Sequence, residues 1–321
     1  MCIVPSEAEQ STRESQPQMI GVSAQMQRVY GLIHQASASA YPVLITGEKG
    51  AGKTRAAQMI HSLSARKASA FVIKDCSGIA PTLAESELFG YEKGAFAGAA
   101  HAQWGLFAFA REGTVLLREV GDLPLHVQSK LVATLQGREF RPIGSSHPLP
   151  FSARLLATSS RDLRTEVECG SFREDLFFCL NAMQIGIAPL RKRKEDIPLL
   201  ADYFLEKCEN GRSRAKFSDA AMRHLSDYDW PGNVRELEEA VRRADSRASG
   251  PAIEVADIKL HPEPPDHRRW TAGITSYLDD REREGITEAL REAHGDKSAA
   301  ARVLGIAESA LQKRLQYYNL A

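Results

Sequence analysis

Two strings in this chain hold residue types that can do chemistry on a phosphate. The first is GEKGAGKT, Gly47 to Thr54, which fills every fixed position of G-x-x-x-x-G-K-[ST]. It follows the apolar run YPVLIT and opens a helical pattern, so it sits in the strand–loop–helix frame the motif needs. Gly47, Gly50 and Gly52 let the loop, with Glu48, Lys49 and Ala51 between them, turn backbone N–H groups inward around an anion. The helix N-terminus adds a favourable dipole, and Lys53 has the reach for β- and γ-phosphates. The Thr54 hydroxyl is the candidate ligand for Mg²⁺. These types at this spacing predict ATP as a bound cofactor.

The second string is GTVLLREV, residues 113–120, an apolar run that ends in charge. In a parallel-sheet ATPase, the carboxylates that hold magnesium and activate water sit at such a strand tip. Glu119 stands where the general base is wanted, and Arg118 occupies the place of the magnesium carboxylate. An arginine cannot coordinate a cation and stays charged at neutral pH. Beside the phosphates it would compete with Mg²⁺ or replace part of its charge, so the expected metal site is a weakened one. The alternative is that Arg118 turns away and another carboxylate, Asp75 at the end of FVIKD, serves the metal.

These strings need a sheet to position them. YPVLIT, AFVIKDCS, GTVLLREV and FSARLLATSS read as strands with helical patterns between them, which argues for a mostly parallel sheet. A preceding amphipathic helix is expected from Met19 onward, with Met26, Val29, Ile33 and Ala36 near helical spacing. After about Pro189 the strand signals fade, and KEDIPLLADYFLEKCENG, SDAAMRHLSDY and NVRELEEAVRRADSRA read as helices. HPEPPDHRR, residues 261–269, carries three prolines and is the best linker candidate. The expected organisation is a polar, disordered segment over 1–17, an α/β subdomain over 18–188, a helical lid over 189–255, a linker over 256–278 and a small all-α module over 279–321.

Composition sets few limits. Lys+Arg and Asp+Glu are both 41 in 321 residues, so no global basic excess announces nucleic acid, although a small DNA-reading module fits inside a neutral chain. No uninterrupted apolar run approaches the roughly 18 residues of a membrane span, and the N-terminus has no signal-peptide pattern. Five scattered cysteines give no metal spacing and suit a reducing cytoplasm.

Further strings carry a resemblance. SELFGYEKGAFAGA (86–99), FREDLFFCLN, PLRKRKEDIPLL and WPGNVRELEEAVRRA occur in the order found in bacterial enhancer-binding proteins, the AAA+ activators of sigma-54 RNA polymerase. The C-terminal segment resembles the Fis-type helix-turn-helix of that family. The resemblance covers residues 18–321 and implies a P-loop AAA+ fold with a helical lid, ring assembly (usually a hexamer), and a loop that engages sigma-54. No sensory domain of the kind many members carry is expected ahead of residue 18.

Carried over position by position, Gly94, Ala95, Phe96, Ala97, Gly98 and Ala99 form the sigma-contacting tip, with Phe96 as its apolar contact. Ala97 stands where the family usually has threonine. That glycine-flanked loop is expected to lack local partners and to be exposed. Arg173 resembles the arginine offered to a neighbouring subunit's nucleotide, where it would offset charge developing on the transferring phosphoryl group. Cys179 stands where a second such arginine falls, and Arg235 resembles the sensor arginine of the lid. Ser160 replaces the usual sensor asparagine. Asp75 replaces the asparagine that orients the catalytic glutamate, and a carboxylate there is expected to repel Glu119. Asp75, Arg118, Ser160, Cys179 and Ala97 thus depart at positions serving hydrolysis or its output. Gly47, Gly52, Lys53, Thr54 and Arg235, which serve binding, are intact.

At the C-terminus, one helix is expected from about Ser298 to Leu304, a break at Gly305, and a second from about Glu308 to Tyr317. Ala299, Ala300, Val303 and Leu304 are expected to pack on Leu311 and Leu315 in a helix-turn-helix. Lys297, Arg302, Gln312, Lys313, Arg314 and Gln316 are the candidate DNA contacts. Residues 297–321 hold four basic side chains against Glu308 alone, which suits phosphate contact. By resemblance, such modules dimerise through the preceding helix, where Ile286 and Leu290 form part of an apolar seam, so a palindromic upstream site is expected.

The leading expectation is a cytoplasmic, DNA-binding transcriptional regulator of the sigma-54 activator type that holds ATP and hydrolyses it weakly or not at all. It would assemble as a homo-oligomer, from dimer to hexameric ring, or in a mixed ring with an active paralogue. Two alternatives stand beside it: a competent ATPase that remodels sigma-54 polymerase, and a non-catalytic regulator or repressor acting without sigma-54.

Overall fold

The computed structural model describes residues 18–208, 216–248 and 250–260, then 287, 290, 291, 293 and 296–303 toward the C-terminus. The segment 1–17, residues 261–278 of the expected linker, and Gln312, Lys313, Arg314 and Gln316 lie outside the described residues. The chain divides into two compact units, Met1–Lys259 and Leu260–Ala321.

The first unit is built on a five-stranded parallel sheet: β1 (Val43–Thr46), β2 (Phe71–Asp75), β3 (Thr114–Arg118), β4 (Arg154–Ser159) and β5 (Gln184–Gly186), in the order β2-β3-β4-β1-β5. Continuous apolar runs such as Val115–Leu117 form buried strands because both faces of a parallel sheet are covered. Strand alternation divides the core in two. Val115, Leu117 and Leu155 pack with Phe89, Phe107, Leu131 and Leu176 on one face, while Leu116 and Leu156 join Met26, Ile33, Ile45, Ile60 and Ile185 on the other. β5 was not anticipated from sequence, since three residues are too few to display a period.

The covering helices of this subdomain are α1 (Ala24–Ser37), α2 (Lys53–Leu63), α3 (Ala84–Phe89), α4 (Leu106–Ala110), α5 (Leu125–Gly137), α6 (Leu163–Glu168) and α7 (Glu174–Leu180). α1 buries Met26, Val29, Ile33 and Ala36, the stripe its spacing predicts. It begins at Ala24, not at Met19, for a tertiary reason. The fully buried Asp196 carboxylate accepts hydrogen bonds from Val22 N, Ser23 N and Ser23 Oγ, at 2.7, 2.8 and 2.7 Å. That holds the chain in a non-helical entry, and Ser23 Oγ in turn accepts from Met26 N to cap the helix.

The lid contains α8 (Ile197–Glu206), α9 (Asp219–Asp227) and α10 (Asn233–Arg247). Leu200, Ala201 and Phe204 of α8 and Leu237, Ala240, Val241 and Ala244 of α10 are buried, and the buried Trp230 indole donates to Leu225 O at 2.8 Å. The unit closes through Ile253 and Ile258, both buried, with Lys216–Phe217 paired to Ala252–Ile253. Buried Arg193 ties the lid to the α/β part by donating to Ala51 O at 2.9 Å and Met26 Sδ at 3.0 Å.

In the second unit a helix spans Lys297–Val303, with Asp296 Oδ1 accepting from Ala299 N at 3.3 Å. Ala300 and Ala301 are buried, where Ala299 and Ala300 were expected to be; Ala299 is half-buried and Lys297 exposed. Arg302 lies on this helix. Among the described residues, no helix is long and apolar enough to cross a membrane.

Candidate nucleotide-binding site

The loop between β1 and α2 has the backbone that anion binding requires. Gly50 and Gly52 stand at φ 77° and 109°, conformations that side-chain-bearing residues adopt only with strain. The first turn of α2 has no intrahelical partner for its N–H groups, which is why such a turn accepts phosphate oxygens. Lys53 Nζ is gathered into the loop, donating to Gly47 O at 2.7 Å and Glu48 O at 3.2 Å, and lies 3.1 Å from Glu119 Oε1. Thr54 follows in the first turn of α2, half-buried. The donor set and the glycine backbone fit a triphosphate.

The tip of β3 departs from a metal site. Glu119 turns left-handed at φ 51°, ψ 53°, which points its carboxylate back to Lys53. Ser160 donates to Glu119 Oε2 through both Oγ, at 2.6 Å, and N, at 2.8 Å. Burial pushes the Glu119 pKa up, but the Ser160 bonds and then Lys53 outweigh it and hold the carboxyl below its ordinary range. Ser160, counted from sequence as a loss, is therefore an orienting residue for Glu119, because β4 ends within hydroxyl reach of that turn.

Arg118 and Asp75 are register partners at the last positions of β3 and β2, and Arg118 Nη2 lies 3.2 Å from Asp75 Oδ2. The other Asp75 oxygen accepts from Ser77 N and Oγ, at 3.1 and 2.7 Å. Partial burial raises the Asp75 pKa, while the Ser77 bonds, then the charges of Arg118 and Lys49, bring it below the usual value. The expected repulsion of Glu119 by Asp75 is thus replaced by two separate engagements, Asp75 with Arg118 and Glu119 with Lys53. The alternative in which Arg118 turns away and leaves Asp75 to a metal does not hold, since the guanidinium engages that carboxylate. The nearby Asp122 is also taken, 2.6 Å from Arg161 Nη2. Among the described residues, no group of three or more His, Cys, Asp or Glu side chains is placed to hold a metal. The residues fit the phosphates, and at the β3 tip the position of a magnesium carboxylate is held by Arg118, paired with Asp75.

The lid bears on the loop through residues that sequence reasoning missed. Asn233, fully buried and left-handed at φ 55°, donates from Nδ2 to Glu48 Oε2 at 3.1 Å and Lys49 O at 3.0 Å. Its Oδ1 accepts from Leu190 N at 2.8 Å. Arg191 grips Glu48 with both terminal nitrogens, at 2.8 and 2.6 Å, and this pair lowers the Glu48 pKa. Val234 N donates to Gly50 O at 3.1 Å, and a Cβ on Gly50 would stand 2.1 Å from Gly232 O. The available signal was the pair Gly232-Asn233 ahead of a helical pattern, since asparagine tolerates the left-handed region. Arg235 sits two residues on, 78% exposed, with Nε 3.4 Å from Glu239 Oε1.

Arg173 caps α7 on the surface, where Asp175 holds its guanidinium through two bonds of 3.0 and 2.7 Å. Cys179, at the far end of α7, is half-buried, with Gln136 Nε2 3.9 Å from its sulfur. The loop over Gly94–Ala99 does have local partners, contrary to expectation. Gly94 N donates to Ala99 O at 2.9 Å, Ala99 N to Phe96 O at 3.0 Å, and the Phe96 ring packs edge-on against Tyr91 with centroids 4.9 Å apart. Phe96 remains 44% exposed on a loop whose base pairs Gly90–Tyr91 with Gln103–Trp104. Ala95 lies against Gly144, and Ala97 and Gly98 complete the exposed turn.

Comparison with known proteins gives three family matches: a sigma-54 interaction domain over residues 19–186, an AAA+ ATPase lid domain over 191–269, and a bacterial regulatory protein of the Fis family over 277–318. The chain is 41% identical over 299 residues to the transcriptional regulatory protein ZraR of Salmonella typhimurium LT2, covering 92% of this chain and 68% of that one. It is 40% identical to the nitrogen fixation protein AnfA of Azotobacter vinelandii, with coverage of 94% and 58%. It is 41% identical to the regulatory protein AtoC of Escherichia coli K12, with coverage of 87% and 62%. The chain therefore spans about three-fifths to two-thirds of the length of these relatives. Among solved structures, NtrX from Brucella abortus with ADP superposes with a TM-score of 0.71 at 27% identity, covering 94% of this chain and 69% of that one. The same protein with ATP gives 0.70 at 27% identity, with the same coverage.

Proposed function

The chain belongs to the sigma-54 interaction domain family of transcriptional regulators, and on that premise we propose that it holds ATP in its AAA+ domain, turns it over slowly or not at all, and regulates transcription from DNA. The observation that carries the reading is the Arg118–Asp75 ion pair at the strand tip, which puts a cation where a magnesium carboxylate is needed and occupies the neighbouring carboxylate as well. Gly47–Thr54 hold the phosphates, with Lys53 on the β/γ-oxygens and Arg235 toward the nucleotide from the lid. ATP would bring a triphosphate and its hydrolysable phosphoanhydride to the loop; the residues of this chain bind and orient it. Glu119, held by Ser160, is the remaining base. Cys179 removes one of the two cations a neighbouring site would receive, leaving Arg173.

Gly94–Ala99 is the proposed sigma-54 contact, through Phe96. Lys297, Arg302, Gln312, Lys313, Arg314 and Gln316 are the proposed DNA contacts, on a palindromic upstream site. A cytoplasmic homo-oligomer, or a mixed ring in which an active paralogue supplies competent sites, fits this division of parts. One observation favours the second reading, a competent ATPase: the Ser160 bonds of 2.6 and 2.8 Å fix Glu119 in place and favour its ionised form, the form a general base needs.

The test is to incubate the purified chain with labelled ATP and Mg²⁺, separate it from free nucleotide, and identify what remains bound. Retained ATP supports the proposal. Retained ADP, with free phosphate accumulating in multiple turnovers, supports the competent ATPase instead.

A further inference from the structure

We propose that the phosphate loop takes ATP free of divalent cation, with the Arg118 guanidinium, braced by Asp75, as the counter-charge for the terminal phosphates. This rests on the reading that the loop binds ATP without efficient turnover. Four features carry it. First, the Arg118–Asp75 pair stands at the phosphate end of the sheet: the next residue, Glu119, lies 3.1 Å from Lys53, and the charge of Lys49 in the loop acts on Asp75. Second, the pair is anchored from both strands. Its members are register partners, Cys76 N donates to Arg118 O at 2.9 Å, and Ser77 fixes the free oxygen of Asp75.

Third, the carboxylates that could hold magnesium are engaged. Glu119 is bound by Lys53 and Ser160, Asp122 by Arg161, and Asp75 by Arg118. Mg²⁺ demands near-octahedral oxygen ligands, and it gives up water reluctantly. Fourth, the chemistry of the substitute is right. The ion pair engages Arg118 through Nη2, whereas a guanidinium carries five N–H donors in a fork matched to phosphate oxygens. Arg118 is 38% exposed, so an anion can reach this side chain from solvent.

The experiment titrates the full chain with ATP by calorimetry, in Mg²⁺ and in EDTA, with melting curves taken in the same buffers. Wild-type affinity should agree between the two buffers within about threefold. Arg118→Ala should bind at least about tenfold more weakly in EDTA, the loss of one strong charge-assisted contact. Arg118→Lys should keep most of the EDTA affinity, and Arg118→Asp should bind ATP only when Mg²⁺ is present. A wild-type affinity that falls more than about tenfold in EDTA overturns the inference, as does unchanged EDTA binding by Arg118→Ala. Absence of binding in both buffers removes the nucleotide reading altogether. Rapid phosphate release in Mg²⁺, with affinity still independent of the cation, overturns slow hydrolysis while leaving this inference standing.

Discussion

Asn233 is the joint between lid and phosphate loop, and its removal has a calculable cost. In Asn233→Ala the buried Leu190 N–H loses its acceptor at 2.8 Å, and an unsatisfied buried donor costs about 1–3 kcal/mol. Lys49 O loses a donor at 3.0 Å, worth about 1 kcal/mol. The bond to Glu48 at 3.1 Å adds little, because Arg191 still grips that half-exposed carboxylate. Alanine at φ 55° then adds roughly 1 kcal/mol of backbone strain that glycine does not feel. The sum is about 3–5 kcal/mol for Asn233→Ala and roughly 1 kcal/mol less for Asn233→Gly. In a unit of this size each kcal/mol moves the melting temperature by about 2–4 °C, so the alanine variant should melt roughly 10 °C low and the glycine variant between it and wild type. Both should bind ATP more weakly, since the lid loses its hold on Lys49 O and keeps Glu48 only through Arg191. Calorimetric melting and ATP titration of the three proteins make the check. A melt within 2 °C of wild type (about 1 kcal/mol or less) for Asn233→Ala, or indistinguishable alanine and glycine variants, would refute the reasoning.

Other perturbations read other parts. Glu119→Gln should raise ATP affinity roughly three- to tenfold, because Lys53 no longer has to leave an ion pair at 3.1 Å; weaker binding by titration calorimetry would contradict this. His61 is buried 2.9 Å from Thr114 Oγ1, and burial, then Arg154, lowers its pKa, so the folded state prefers neutral imidazole. Its stabilisation is full above the unfolded value of about 6.5 and is lost as pH falls through that value toward the folded one. Between about pH 7.5 and 5.5 the unfolding free energy from urea titrations should therefore fall by about 1 kcal/mol more in wild type than in His61→Gln, and equal falls would contradict the assignment. Gly105→Ala would place a Cβ 2.2 Å from Gly90 N and prise open the base of the Gly94–Ala99 loop, at roughly 1–3 kcal/mol. Trypsin should then cut faster at Lys93, and an unchanged rate would show the base absorbs the group.

What the sequence disclosed followed the range of each interaction. β1, the phosphate loop and α2 are contiguous, and their types and spacing declare the arrangement locally. The buried stripe of α1 and the apolar runs of β3 and β4 were legible for the same reason. Pairings across the fold were not. Asn233 meets Glu48 across 185 positions, and Asp196 meets Ser23 across 173. Asp75 and Arg118 could each be flagged as unusual, but only the β2–β3 register makes them a pair. Ser160 was read as a loss because it replaces the usual sensor asparagine; the left-handed turn at Glu119 brings the carboxylate to it.

The account stands most directly on one comparison: steady-state phosphate release with Mg²⁺ by the unaltered chain and by the double variant Arg118→Asp/Asp75→Asn, at matched high protein concentration. Restoring a carboxylate at the β3 tip and freeing its neighbour should raise turnover at least about tenfold from a near-zero baseline, about 1.4 kcal/mol of barrier. Equal rates in the two proteins, both well above background, would contradict it, because the metal anchor would then not be what limits this site.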